Sequence, residues 1–176
     1  MAEGIFITLS SYRERIIEIA DVKSRIRDAF DMIARKRSPH AFAVGKNEQR
    51  MIDHAEEKGI TLGSEELYYT AKALSHPVRD SKQEVGLALP KEDYVNFPSQ
   101  RAGMRLYWDS EGGGAYVYTD FKKKFIVKPN QEIKVRDANG KRSKIKSVCL
   151  ITGGKVTDKS EFNKTNYERV YRKRKR

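Results

Sequence analysis

The sequence predicts an α+β fold, with a helical N-terminal half followed by a small antiparallel β-sheet. Apolar residues recur at three- and four-residue steps in the first part of the 176-residue chain, which is the period of an amphipathic helix. After about residue 100, short β-branched and aromatic runs replace this pattern, with glycine-rich or Asn-Gly turns between them. Helices followed by strands favour α+β over a parallel, doubly wound sheet.

A long amphipathic helix is predicted over about 11–37. Ser11 and Glu14 have the spacing of a capping box, and Ser38-Pro39 ends the pattern. The apolar seam consists of Tyr12, Ile16, Ile19, Ile26, Phe30 and Ile33. Such a seam either packs against the rest of the domain or pairs with another protein or a second copy of the chain. The sequence leaves both possibilities open.

Two shorter helices are expected next, after a connector that reaches Gly45. The first covers about 47–58 and is closed by Gly59, since glycine adopts the left-handed cap conformation without a steric penalty. The second begins at Ser64, where Glu65 and Glu66 would lie over the positive end of the helix dipole. It is interrupted near Pro77, which has no backbone N–H to donate.

The sheet is expected between about 105 and 152. Its strand-forming runs are 106–108, 115–118, 125–127 and 145–151, with turns at Gly112-Gly113-Gly114 and Asn139-Gly140. The chain then divides into a helical N-terminal region (1–60), an α+β domain (61–160) and a basic C-terminal tail (161–176).

Charge is concentrated in the last third of the chain. Residues 121–176 contain 19 basic and five acidic residues, whereas residues 1–120 contain 17 basic and 19 acidic residues. A concentrated positive field attracts polyanions, because neutralising their phosphates releases condensed counterions. RNA or another nucleic acid is therefore the predicted partner. A membrane is disfavoured because no long apolar helical face accompanies the charges, and a solvated basic tail is the plainer alternative.

The residues predicted to contact nucleic acid are cationic or aromatic. Phosphates would be bound by cations, and bases would stack on tyrosines, although aromatic residues at period two equally form a sheet core. The set comprises Lys82, Tyr116, Tyr118, Lys122, Lys123, Arg172, Lys173 and Arg174.

The cysteine count indicates a reducing compartment. Cys149 is the single cysteine, which excludes an internal disulfide and a multi-cysteine zinc site. No apolar run approaches the roughly 18 residues of a membrane span, and no secretory leader is expected. No metal-ligand spacing or nucleotide-binding loop is present, so neither metal nor cofactor is predicted.

His76 is the candidate for acid–base chemistry. Its imidazole could exchange protons near neutral pH, and Arg79 lies three residues away, within one helical turn. Cleavage of RNA through a 2′,3′-cyclic phosphate needs a base, an acid and cationic donors for the phosphorane, and it needs no metal. Lys124 and Lys128, which share one strand face, are the candidate cations. A solvated polar helix face is the alternative.

The order of motifs resembles the phage-encoded nuclease-like domains of the barnase, EndoU, colicin and RelE superfamily. The resemblance covers about 62–152, and it rests on 73–79 (ALSHPVR), 86–94 (GLALPKEDY), 106–109 (LYWD), 116–118 (YVY), 124–128 (KFIVK) and a last strand with Ser147.

This resemblance implies a helical part before a four-stranded antiparallel sheet, and metal-independent RNA cleavage of phage or toxin type. It implies catalytic roles for His76, Arg79, Lys124 or Lys128, and Ser147. The protein is then expected in the cytoplasm or associated with a virion. A phage structural protein and an inhibitor protein are further candidate partners. A non-catalytic nucleic-acid-binding or structural adaptor protein of a phage particle, self-associating through the 11–37 helix, is the alternative.

Overall fold

A computed structural model describes residues 9–78 and 86–174. The first part of the chain forms α1 (Leu9–Ala34), β1 (Phe42–Lys46), α2 (Gln49–Lys58), β2 (Glu66–Tyr69) and α3 (Ala71–Ser75). After α4 (Lys91–Gln100), the strands are β3 (Arg105–Asp109), β4 (Ala115–Thr119), β5 (Lys123–Arg136), β6 (Arg142–Lys155) and β7 (Tyr167–Val170). Short 3₁₀ turns cover His76–Val78, Arg101–Gly103, Glu111–Gly113 and Lys159–Asn163.

The strands of the described residues form one seven-stranded mixed sheet, in the order β1-β2-β6-β5-β4-β3-β7. Neighbouring strands are antiparallel except for β2 and β6, which run parallel, with Leu67 opposite Val148 and Tyr68 opposite Cys149. The observed sheet is therefore larger than the predicted one, and it is mixed rather than wholly antiparallel. Both β1 and β2 come from the half of the chain for which helices were predicted.

The main core lies between one face of the sheet and the helices. Alternate residues of β4 and β5 enter it, among them Tyr116 and Phe125. The C-terminal half of α1 contributes Ile26 and Phe30, and α1 packs against α3 and α4. The Phe30 ring meets the Tyr94 ring edge-on, with 6.1 Å between centroids.

A second, smaller core covers part of the opposite face of the sheet. Tyr107 and Val117 pack there against Phe162, which the Lys159–Asn163 turn supplies. Ile126, between the core residues Phe125 and Val127, also belongs to this second core. Both faces of β4 are consequently buried along its whole length.

The predicted first and second helices are confirmed. α1 ends at Ala34, and Lys36 adopts a left-handed conformation (φ 57°) just before Ser38-Pro39. Ser11 lies inside α1 rather than at its cap. α2 ends at Lys58, and the cap residue Gly59, with a φ of 67°, confirms the predicted glycine cap. None of the helices in the described part of the chain is long and apolar enough to span a membrane.

The prediction of a helix beginning at Ser64 is wrong. Residues 66–69 form β2, because alternating Leu67 and Tyr69 enter the core from one face of an extended chain. The Ser64 hydroxyl donates to the Glu66 carbonyl at 2.6 Å and accepts from the Val148 N–H at 2.9 Å, so it ties this segment to β6. α3 begins only after Thr70, whose Oγ1 accepts from the Ala73 N–H.

The connector expected up to Gly45 is also corrected, because its last residues form β1. Both predicted turns are confirmed: the glycine run lies between β3 and β4, and Asn139-Gly140 lies at the tip of the hairpin that joins β5 to β6.

Candidate nucleic-acid interface

The hairpin of β5 and β6 extends beyond its neighbours as a two-stranded ribbon. β4 pairs with β5 only as far as Val127, and β2 pairs with β6 only from Val148 onward. Residues 130–147, here called the arm, therefore pair only with each other among the described strands. At its tip, the Asp137 carboxylate accepts from the N–H groups of Asn139 and Lys141 at 2.9 and 2.8 Å.

The base of the arm is held by close contact with the backbone of Gly63. Gly63 donates its N–H to the Pro129 carbonyl at 2.8 Å. A Cβ on Gly63 would lie 2.5 Å from the Ser147 nitrogen, inside the contact limit of two heavy atoms. Ser147 is fully buried and donates its hydroxyl to the Gln131 carbonyl at 3.2 Å, across the two strands. These contacts orient the arm relative to the sheet.

One face of the arm is almost entirely cationic. Directly opposite residues of an antiparallel pair share a face, and the register places Lys134 opposite Lys144 and Arg136 opposite Arg142. Glu132 and Lys146 form the third pair of this face. All six side chains are exposed. The opposite face carries Gln131, Ile133, Val135, Ser143, Ile145 and Ser147.

The cations of this face are poorly neutralised. Lys144 lies 3.4 Å from the Glu132 carboxylate. The other four cations have no carboxylate oxygen within 4.0 Å among the described residues. Like charges directly opposite each other destabilise a strand pair, so the arm carries an internal repulsion.

A cleft of about 650 Å³ opens between the arm, the 38–41 segment and the start of α3. Ile133, Cys149 and Leu150, all buried, contribute apolar lining, and Lys72, Arg136 and Arg142 contribute exposed cations. Burial raises the pKa of the Cys149 thiol to about 11. Cys149 is therefore a protonated, apolar element of the lining at neutral pH.

The predicted catalytic residues that the structure describes lie in separate places. His76 is half-buried in the 3₁₀ turn after α3, and α3 lies on the helix side of the sheet, where Leu74 enters the main core. Lys124 and Lys128 alternate with Phe125 and Val127, which point to that core, so the lysines lie on the opposite side. Ser147 is engaged at the arm base, and Arg79 lies outside the described residues.

The candidate lysines have structural partners. The Lys124 ammonium lies 2.8 Å from the Glu161 carboxylate, and Lys128 donates to the Gly112 carbonyl at 3.0 Å. Lys123 pairs with Asp93 at 2.8 Å. These contacts tie β5 to α4 and to the turns around it. They leave the three lysines less available to phosphate than the cations of the arm.

The expectation that Tyr116 and Tyr118 stack on bases is corrected. Both side chains are 0% exposed, so neither ring presents a face to solvent. The His54 Nδ1 lies 3.0 Å from the Tyr116 hydroxyl, and the Arg50 guanidinium lies over the Tyr118 ring. Burial raises the pKa of both phenols well above the ordinary value. Both tyrosines belong to the core.

The remaining predicted contacts lie near the C-terminus and in the 79–85 segment. Lys122, Arg172, Lys173 and Arg174 are exposed. Arg172 donates to the Ala102 carbonyl, and Lys173 lies 3.0 Å from the Glu57 carboxylate, so both are tied to the body of the protein. Lys82 lies outside the described residues.

The cations of the arm are not among the residues that the sequence predicted to contact nucleic acid. A signal for them was present, because Lys134 and Arg136 on one side of Asn139-Gly140, and Arg142, Lys144 and Lys146 on the other, alternate at the period of a strand.

Comparisons of this chain with models of protein families, with curated proteins and with solved structures found no match.

Proposed function

We propose that this protein binds nucleic acid through the cationic face of the arm. The observation that carries the proposal is the register of β5 and β6, which collects five exposed cations and one carboxylate on a single face of a two-stranded ribbon. Of its like-charge pairs, Arg136 with Arg142 has no carboxylate oxygen within 4.0 Å among the described residues, and Lys134 with Lys144 has only Glu132, 3.4 Å from Lys144. A polyphosphate backbone supplies the missing negative charge.

The shape of the arm suits a nucleic-acid groove. A two-stranded β-ribbon is one of the elements that the roughly 12 Å major groove of B-form DNA admits. Phosphate contacts made by lysine and arginine position a protein without reading sequence. We therefore expect binding that depends strongly on charge and weakly on sequence.

The C-terminal tail has a supporting role in this proposal. Arg172 and Lys173 contact Ala102 and Glu57 in the free protein. Binding through Arg172 and Lys173 would replace these contacts with phosphate contacts. The net gain in binding free energy would therefore be smaller than at the arm, where most cations have no carboxylate partner. Removing 171–176 should therefore weaken binding less than neutralising the arm.

The proposal is tested with an arm variant in which Lys134, Arg136, Arg142 and Lys144 are replaced by glutamine. A control variant carries the same replacement at Arg13, Arg15, Arg25 and Arg37, which are equally exposed and lie on α1 or just after it. Fluorescence anisotropy with mixed-sequence RNA and DNA at about 0.1 M salt measures the affinity.

We expect the arm variant to bind at least about tenfold more weakly than the wild type, a loss of about 1.4 kcal/mol, and the control to bind within about twofold of it. Equal losses in the two variants would show that net charge, rather than the arm, determines binding.

RNA cleavage stays a prediction. It is tested by incubating the wild type and His76→Ala with total RNA and a chelator and scoring the RNA for cyclic phosphate ends. Assembly into a virion also stays a prediction.

A further inference from the structure

The cleft beside the arm combines an apolar interior with a cationic rim. Its volume of about 650 Å³ lies within the range of small-molecule sites. Ile133 and Leu150 are at most 8% exposed, whereas Lys72, Lys134 and Arg142 are exposed at the same cleft. This pattern suits a ligand with a flat, weakly polar body and an attached negative charge.

The cleft borders both faces of the arm, because Ile133 in its lining belongs to the face opposite the cations. Lys134, Arg136 and Arg142 of the cationic face also line it, together with the Glu132 carboxylate. A phosphate held by Arg136 and Arg142 would therefore lie at the mouth of the cleft, and the base attached to the same nucleotide could reach its interior. A nucleotide within a paired duplex could not do so, because its base is held in the stack.

We infer that the cleft receives an unpaired base of the bound strand, while the cations at its rim hold the adjacent phosphate. This inference rests on the proposed function and adds a substrate class, namely strands with unpaired nucleotides. The apolar part of the lining contacts a base by shape and apolar burial. Gln131 and Thr70, which also line the cleft, supply polar groups for the edge of a base.

The test compares two single-stranded DNA probes of 12 nucleotides with equal charge. One carries thymine bases, and the other carries abasic residues on the same phosphate backbone. Two variants fill the cleft from different walls: Ala71→Trp at the start of α3 and Ala41→Trp in the segment before β1. Ala20→Trp, on the exposed surface of α1, is the matched control, and circular dichroism confirms that each variant is folded.

The wild type and Ala20→Trp should bind the base-bearing probe about tenfold more tightly than the abasic probe, the ratio expected when roughly 50 Å² of apolar surface leaves water. Ala71→Trp and Ala41→Trp should lose that ratio and keep their affinity for the abasic probe. Equal binding of the two probes by the wild type, or an unchanged ratio in both folded cleft variants, overturns the inference alone. Absence of salt-dependent binding to any probe overturns the proposed function as well.

Discussion

Ser147 illustrates how a single polar side chain can be structural where a catalytic role was expected. It is completely buried, and its hydroxyl donates to the Gln131 carbonyl across the base of the arm. The neighbouring Val148 N–H is satisfied by Ser64. This position therefore stabilises the junction between arm and sheet and has no surface available to a substrate.

Ser147→Ala should lower the free energy of unfolding by about 0.5–1.5 kcal/mol, the usual value of one intramolecular hydrogen bond. Urea denaturation measures this change. Nucleic-acid affinity should remain within about twofold of the wild type. Loss of affinity at unchanged stability would show that Ser147 contacts the ligand.

Cys149 leads to a second prediction for a single residue. Burial raises the pKa of its thiol from 9.0 to about 11, so at pH 8 the folded protein holds about a hundredfold less thiolate than the unfolded chain. Labelling by a disulfide reagent should therefore be slow in the native protein and fast in denaturant. Equal labelling rates in the two states would contradict this burial.

The same pKa shift gives a direction for alkaline stability. The folded state favours the neutral thiol, so this contribution is fully present below pH 9 and is lost as the pH rises from 9 towards 11.

The tyrosines of β4 show what could be predicted for single residues. Their alternation correctly indicates that Tyr116 and Tyr118 share a face. It could not indicate that both are buried, because that depends on distant helices that cover the same side. The cover over Val117 likewise comes from Phe162, 45 residues further along the chain.

At the scale of elements, α1 consists of two unlike halves. Ile26 and Phe30 are buried in the main core, whereas Ile16, Ile17 and Ile19 are 50%, 61% and 43% exposed. The seam predicted from the sequence is interrupted only at Lys23, but among its described side chains the rest of the domain buries those of the C-terminal half. Self-association through this helix stays a prediction, for which light scattering is the measurement.

Phe30→Ala should cost about 3–5 kcal/mol, since it removes a core ring and leaves a cavity against Tyr94. Ile17→Ala should change the unfolding free energy by no more than about 0.5 kcal/mol. Denaturation of both variants at one low protein concentration measures the difference. Equal losses would indicate that the N-terminal half of α1 is buried in solution.

The arm combines two opposed effects of its charges. Arg142→Glu replaces a like-charge pair with an ion pair opposite Arg136, so the free protein should gain about 0.2–1 kcal/mol in stability. The same substitution should weaken nucleic-acid binding. The matched control Arg25→Glu, on exposed α1, should weaken it less.

Thermal melting and anisotropy on the two variants give both quantities. A loss of stability in Arg142→Glu would show that repulsion between Arg136 and Arg142 is absent from the free arm.

The arm also shows the limit of what the sequence could predict for an element. An Asn-Gly dipeptide most often forms a two-residue turn, which would place Arg136 opposite Ser143. The loop of this protein spans 137–141 and places Arg136 opposite Arg142 instead. A shift of one residue exchanges the faces of a strand, so the shorter turn would have divided the cations between the two faces of the arm.

At the scale of the whole molecule, elements from all parts of the chain share one sheet. β1 comes from the first 60 residues, and β7 comes from the last 16. The order of helices and later strands was predictable from hydrophobic period. The addition of β1 and β2 to the sheet was not predictable from this period. These strands are only four to five residues long, and β2 pairs with β6, which lies far along the chain.

The charged residues are also unevenly distributed along the whole chain. Acidic and basic residues nearly balance over 1–120, and the excess of cations lies in 121–176. Within that excess, the strand lysines Lys123 and Lys124 are paired with Asp93 and Glu161. Lys134, Arg136, Arg142 and Lys146, which share one exposed face of the arm, have no such carboxylate partner among the described residues.

The salt dependence of duplex DNA binding measures how many phosphates the cations of the arm contact. Each phosphate contact contributes about −0.9 to the slope of log Kobs against log salt concentration. The wild type should show a steep negative slope. Glutamine at Lys134, Arg136, Arg142 and Lys144 should make it shallower by up to about 3.6, and the matched replacement of four arginines of α1 and its end should leave it nearly unchanged. A slope that is the same in the wild type and the arm variant would contradict binding through the arm.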